Sequence, residues 1–187
     1  MRIGLFGGTF NPPHEGHLHV SREALRRLRL DRLWWLVTPG NPLKDNRALP
    51  SLAERIVAAR ALARDRRIVV TGCEAGLGTR FTADTLRALR GRAPSARFVW
   101  IMGADNLGDF PRWRGWRDIA DGVPIAVFDR RGGRAKPPSG AAGAYLDRFR
   151  LDEADAALLA GAPAPAFVFL HGRRSGESST HLRGGAP

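Results

Sequence analysis

Two histidines, His14 and His17, stand three residues apart behind the string Gly7-Gly8-Thr9-Phe10-Asn11-Pro12-Pro13, and their type and spacing suit work on phosphate. An imidazole can donate a hydrogen bond, or place positive charge, beside an oxygen that gains negative charge during a reaction. Three-residue spacing at a helix start brings both rings to one face, within a turn of each other. The surroundings agree. A short apolar run (Ile3 to Phe6), a glycine-rich turn and a helix-patterned segment (about Glu15 to Leu28) aim backbone N–H groups and a positive helix end at one point. Two prolines rigidify the turn. A Gly-Gly turn alone is common and a lone histidine is often only packed or solvated; the whole string carries the signal.

Other residues of chemical interest fall where further apolar runs end. Leu33 to Val37 leads into a turn-rich loop, Thr38 to Lys44, from which Lys44 either reaches an anionic ligand or stands idle in solvent. After Ile68-Val69-Val70 a loop carries Cys73 and Glu74, and Thr82 or Asp84 is expected to cap a helix running toward Leu89. Arg97 to Met102 is the strongest buried run; Gly103 behind it lets a ligand approach the backbone. Asp105 suits ribose hydroxyls, a hydrated magnesium ion or a helix cap. Trp113 and Trp116 read first as core or helix-face residues. Near the end, the hydroxyls of Ser178, Ser179 and Thr180 precede Arg183, a cluster that caps alone would also explain.

The elements that must hold these residues form a simple pattern. Six strand candidates, the last two at Pro124 to Phe128 and Ala166 to Leu170, alternate with helical segments and lack a strong hairpin signal. That alternation predicts an α/β fold, a Rossmann-like doubly wound, mostly parallel sheet with helices on both faces. Ligands of such sheets sit outside the carboxyl ends of the strands, where strand order reverses. Ser51 to Glu54 reads as a capping box for a helix through about Ala63, Asp147 to Leu159 as a weaker helix, and residues 131–143 as a flexible Gly/Pro/Ala-rich excursion. A single domain over 1–187 is expected.

Composition narrows the class. The net charge is +12, with 28 of the 30 basic residues arginine, scattered without an RNA-binding signature. The charge therefore favours small polyanionic substrates rather than nucleic acid. One cysteine and no run long enough for a bilayer predict a cytoplasmic protein with no membrane partner and no internal disulfide. Met1-Arg2-Ile3 runs straight into the first strand, so no secretory signal is expected. A Walker-type loop and a Gly-x-Gly-x-x-Gly turn are both missing, which argues against an ordinary kinase or a dinucleotide-dependent dehydrogenase. His14, His17 and His19 lack the cysteines or carboxylates to complete a zinc site, so no metal ligands are predicted.

The Gly7-to-His17 string resembles the signature of the nucleotidyltransferases with a (His or Thr)-x-Gly-His motif, in the form seen in bacterial nicotinate-nucleotide adenylyltransferases. The likeness extends to Pro-x-Asn-Pro-x-Lys ending at Lys44, to Phe81-Thr82-Ala83-Asp84-Thr85-Leu86, to Gly103-Ala104-Asp105-Asn106-Leu107, and to Ser178-Ser179-Thr180-His181-Leu182-Arg183. It implies adenylyl transfer from ATP to nicotinate mononucleotide, giving nicotinate adenine dinucleotide and pyrophosphate in NAD biosynthesis. It implies catalysis by His14 and His17, with Gly8, Thr9, Phe10, Gly103, Asp105, Ser178, Ser179, Thr180 and Arg183 at ATP. It places Lys44, Thr82, Thr85, Trp116 and Arg130 at the mononucleotide, Trp116 stacking on the pyridine ring. Magnesium is implied only as bound to substrate. Arg131 stands where the family has proline, and Glu177 where it has an apolar residue. A sibling using nicotinamide mononucleotide, relatives transferring to pantetheine phosphate or moving cytidylyl groups, and a non-catalytic nucleotide- or RNA-binding module are the rivals. Oligomeric state is not readable.

Overall fold

The computed structural model describes residues 1–40, 43, 45–129 and 140–172. Its strands are β1 (Arg2–Gly8), β2 (Arg32–Val37), β3 (Ile68–Thr71), β4 (Arg97–Gly103), β5 (Ile125–Asp129) and β6 (Phe167–His171). They form one parallel sheet in the order β3-β2-β1-β4-β5-β6. Helices α1 (Glu15–Arg27), α2 (Leu52–Leu62), α3 (Cys73–Leu77), α4 (Thr82–Arg92), α5 (Ala104–Leu107), α6 (Trp116–Gly122) and α7 (Gly140–Asp147) join them, with a 3-10 helix at Glu153–Gly161. Among the described residues no helix is long and apolar enough to cross a membrane.

Alternation along each strand builds two cores, one per face. Phe6, Trp35, Val99, Ala126 and Val168 meet α1, α2 and the 3-10 helix on one side. Leu5, Leu36, Trp100, Val127 and Phe169 meet α4, α5, α6 and α7 on the other. Because both faces are covered, the strands read as nearly continuous apolar runs. Each large aliphatic side chain so buried contributes about 1.5–3 kcal/mol.

The central pair of strands prepares the site. β1 and β4 pair from Arg2 and Arg97 as far as Phe6 and Ile101. Beyond that point Gly7 and Gly8 stay with Leu36 and Val37 of β2, while Met102 and Gly103 stay with Val127 and Phe128 of β5. The two strands thus part at their carboxyl ends, at the switch point where such sheets bind ligands. Gly7 is required here: a Cβ on it would lie 2.7 Å from the Trp100 ring.

Several expectations need correction. The loop expected at Cys73 and Glu74 is α3, closed by Gly78 in the left-handed region (φ 65°), whose N–H donates to the carbonyls of Glu74 and Ala75. Neither Thr82 nor Asp84 caps α4: Phe81 is its N-cap, without a side-chain cap, and Asp84 pairs with Arg87 at 2.9 Å. The helix expected over Asp147 to Leu159 is broken. Phe149 and Leu151 exchange main-chain hydrogen bonds with Phe167, and Asp152 then caps the 3-10 helix. Of the excursion at 131–143, residues 140–143 belong to α7 and the rest lie outside the described residues.

Candidate functional site

Helix α1 starts with an imidazole capping box. His14 is the N-cap, and its Nδ1 accepts the Gly16 N–H at 3.1 Å. His17 Nδ1 in turn accepts the His14 N–H at 3.2 Å. The two side chains therefore do what Ser and Glu do in an ordinary capping box, satisfying N–H groups at the first turn. An Nδ1 that accepts carries no proton, so this network puts the ring proton of each histidine on Nε2. Both rings, 3.9 Å apart between centroids and nearly buried, are held in place by the fold itself. They stand where β1 ends, beside the parting of β1 and β4.

A packed layer under the rings sets their position. Phe10 stacks on Trp35 at 4.8 Å and leans on His17 at 4.8 Å. Trp35 Nε1–H donates to Ser21 Oγ at 2.7 Å, and the Ser21 hydroxyl donates to the His17 carbonyl at 2.7 Å. Phe10 is only 1 % exposed, and its φ of 48° lies in the left-handed region, costly for a bulky residue. Its ring thus belongs to the core, and its main chain forms part of the turn before the histidines. Gly8 and Thr9 are half-buried, as the turn around the histidines requires.

Arg55 is the residue the sequence reading missed. Nothing in the spacing of an arginine on α2 sets it apart. It is 3 % exposed. One terminal nitrogen donates to the carbonyls of Thr9 and Thr38, each at 2.8 Å; the other reaches Pro39 at 3.2 Å and Nε reaches Pro50 at 2.9 Å. A planar fork of donors is suited to such a task. It locks the turn before His14 to the loop after β2, and burial draws its pKa downward.

That second loop borders a cleft of about 370 Å³ lined by Thr38, Pro39, Gly40, Asn46, Gly78, Thr79 and Arg80. Behind it starts α4. Thr82 is half-buried in the first turn, whereas Thr85 is fully buried, its hydroxyl donating to Glu74 Oε1 at 3.0 Å. Its main-chain N–H goes to the Phe81 carbonyl at 3.1 Å. The Thr85 hydroxyl is thus tied inside the protein, at the first turns of α4. Trp116 opens α6 beside this helix start: Gly115, at φ 65°, brings the chain so near Ala83 that a Cβ would lie 3.2 Å from it. The Trp116 ring is half-buried, edge-on to Phe110 and Tyr145, with the Arg117 guanidinium over it at 4.7 Å. Trp113 packs edge-on against Trp100 and Phe110.

Gly103 ends β4 and is the N-cap of α5, across the parting from Gly8. Asp105 is exposed within the first turn of α5, so it is not the cap. Lys44, Arg130, Ser178, Ser179, Thr180 and Arg183, together with Arg131 and Glu177, lie outside the described residues.

Known proteins carry similar sequences and the same fold. The cytidylyltransferase-like family model matches residues 5–185. A protein of Methylorubrum extorquens named "Probable nicotinate-nucleotide adenylyltransferase" is 61 % identical, over 98 % of this chain and 99 % of its own. One of the same name from a Bradyrhizobium species is 56 % identical, over 98 % and 95 %. Among solved structures, the Plasmodium falciparum nicotinic acid mononucleotide adenylyltransferase complexed with NaAD superposes with a TM-score of 0.72 at 16 % identity, covering 98 % of this chain and 82 % of that one. At that identity the structural likeness speaks for the fold.

Proposed function

The chain belongs to the nicotinate-nucleotide adenylyltransferases of the cytidylyltransferase-like family, and from that premise we propose how its residues perform the reaction. It transfers the adenylyl group of ATP to nicotinate mononucleotide, giving nicotinate adenine dinucleotide and pyrophosphate. An oxygen of the mononucleotide phosphate attacks the α-phosphorus of ATP. The bond from that phosphorus to the β-bridging oxygen breaks, and its electron pair leaves with pyrophosphate. The attacking phosphate is already anionic, so no general base is needed. What the protein supplies is alignment and neutralisation of charge.

The single observation that carries this reading is the reciprocal imidazole cap, which fixes His14 and His17 side by side at the start of α1, behind the turn that follows β1. We assign His17 to the α-phosphate and His14 beside it, with Gly8, Thr9 and the N–H groups of their turn around the polyphosphate. Gly103 and Asp105 serve the nucleoside from across the parting. Thr82, Trp116, Lys44 and Arg130 serve the mononucleotide, and Ser178, Ser179, Thr180 and Arg183 the distal phosphates. Phe10 and Thr85 act from beneath, by packing. Magnesium would be held by substrate and water rather than by a protein cage, and would supply neutralisation of phosphate charge. The imidazoles and main-chain N–H groups of this turn suit phosphate oxygens rather than the ion. We read the chain as one domain acting in the cytoplasm on small molecules.

The test is pyrophosphate release from ATP and magnesium, with nicotinate and nicotinamide mononucleotides compared side by side. A preference for the acid is the expected outcome. A preference for the amide moves the substrate to the sibling activity, and no release with either refutes the assignment.

A further inference from the structure

Beneath the cleft sits a carboxyl group that the reaction above does not use. Glu74 of α3 is 6 % exposed. Its Oε1 accepts from Thr85, the Thr85 and Thr79 hydroxyls meet at 2.9 Å, and the Thr38 hydroxyl also acts on it. Thr38 and Thr79 both line the cleft, so one carboxyl stands where two segments of its lining meet the first turns of α4. Among the described residues, buried Glu74 Oε2 meets no hydrogen-bond donor in good geometry. Such a place is costly for a carboxylate and mild for the neutral acid. Burial accordingly pushes the Glu74 carboxyl up from its ordinary value, the Thr85 and Thr38 hydroxyls pulling the other way.

What lies in front of it is the start of α4. That helix has eleven residues and no side-chain cap, so no side chain covers its positive end. A negative charge close behind it would weaken its attraction for an anion. Burial, which raises the Glu74 pKa, lessens that opposition.

We propose that Glu74 is a positioning residue for the acceptor substrate, its buried carboxyl fixing the start of α4 against the walls at 38–40 and 78–80 so that this helix start meets the acidic ring substituent of nicotinate mononucleotide. The proposal rests on the function assigned above. It differs from a general stabilising role, because it predicts an effect confined to one substrate.

The experiment varies each substrate separately in Glu74→Gln and Glu74→Ala. Glu74→Ala is expected to raise KM for nicotinate mononucleotide by about tenfold, the scale of one misplaced charge-assisted hydrogen bond, with KM for ATP changed less than about twofold. Glu74→Gln, which keeps an acceptor for Thr85 and stays neutral, is expected to restore most of the loss. Hydrogen exchange without substrate is expected to quicken at residues 78–86 in Glu74→Ala and to stay unchanged in α1. If the alanine variant does not fold, Glu74→Asp, one methylene too short to reach Thr85, carries the same comparison. Equal rises in both KM values, or no rise at all, would overturn the proposal. So would a Gln variant as impaired as Ala, which would assign the role to negative charge. The wild-type assay tests the premise by itself: if nicotinate mononucleotide supports no release, the function reading fails. Exchange at 78–86 then decides whether Glu74 fastens the helix start, and unaltered exchange there overturns the fastening as well.

Discussion

At the scale of single residues, His14 and His17 serve two purposes with the same rings. Each Nδ1 caps the helix start, and in the proposed mechanism each ring also serves the phosphates. Separating the purposes is possible because glutamine at the N3 position also reaches back to the N-cap N–H. His17→Gln is therefore expected to preserve thermal stability within about 1 kcal/mol, the worth of a cap. Turnover should fall by about 10²–10³, the usual loss of one donor to a developing charge. The affinity for ATP should move far less, and parallel losses in turnover and in ATP binding would refute the role. The histidine pair was legible from spacing alone. The fate of Phe10 and Thr85 was not: a motif gives residue types in order, whereas burial of one ring under Trp35 and one hydroxyl under Glu74 depends on elements far along the chain.

At the scale of elements, the long apolar strands were readable because burial on both faces leaves little polarity to interrupt them. Helix α3 hid behind its glycines, and the break after α7 hid because its cause, pairing of residues 149–151 with the start of β6, lies distant in sequence. Arg55 is the instructive case. On the sequence it is one arginine among many, yet its one guanidinium donates to the turn before α1, the loop after β2 and the residue preceding the α2 cap. Arg55→Ala leaves four carbonyls, those of Thr9, Thr38, Pro39 and Pro50, without this donor. Stability is expected to drop by at least about 3 kcal/mol, seen as a lower urea midpoint at unchanged slope. Arg55→Lys, lacking the fork, should recover only part of it.

At the scale of the whole molecule, two kinds of carboxyl oppose each other across the pH range. Asp31, hydrogen-bonded by the main chain and guanidinium of Arg2, and Asp65, held by the guanidinium and main chain of Arg67, lie below their ordinary values. Their stabilisation is present above the unfolded pKa and fades as pH falls through the folded one. Glu74 has the opposite sign. Its folded pKa is raised, so its contribution is whole below the unfolded value near 4.5, declines above it and is gone once pH has passed the folded value. Urea midpoints taken from about pH 5 to about pH 8 should therefore decline for the wild type relative to Glu74→Gln, which does not titrate. Parallel curves for the two proteins would remove Glu74 from the account. The parting of β1 and β4 after Phe6 and Ile101 has a wider consequence. On the proposed mechanism it sets the phosphate chemistry in a notch between the two halves of the sheet, while the segments at 38–40 and 78–80, α4 and Trp116 serve the acceptor. On that reading leaving group and acceptor are handled by separable parts, and the choice of acceptor is open to change by substitution in the acceptor's part while the notch stays as it is.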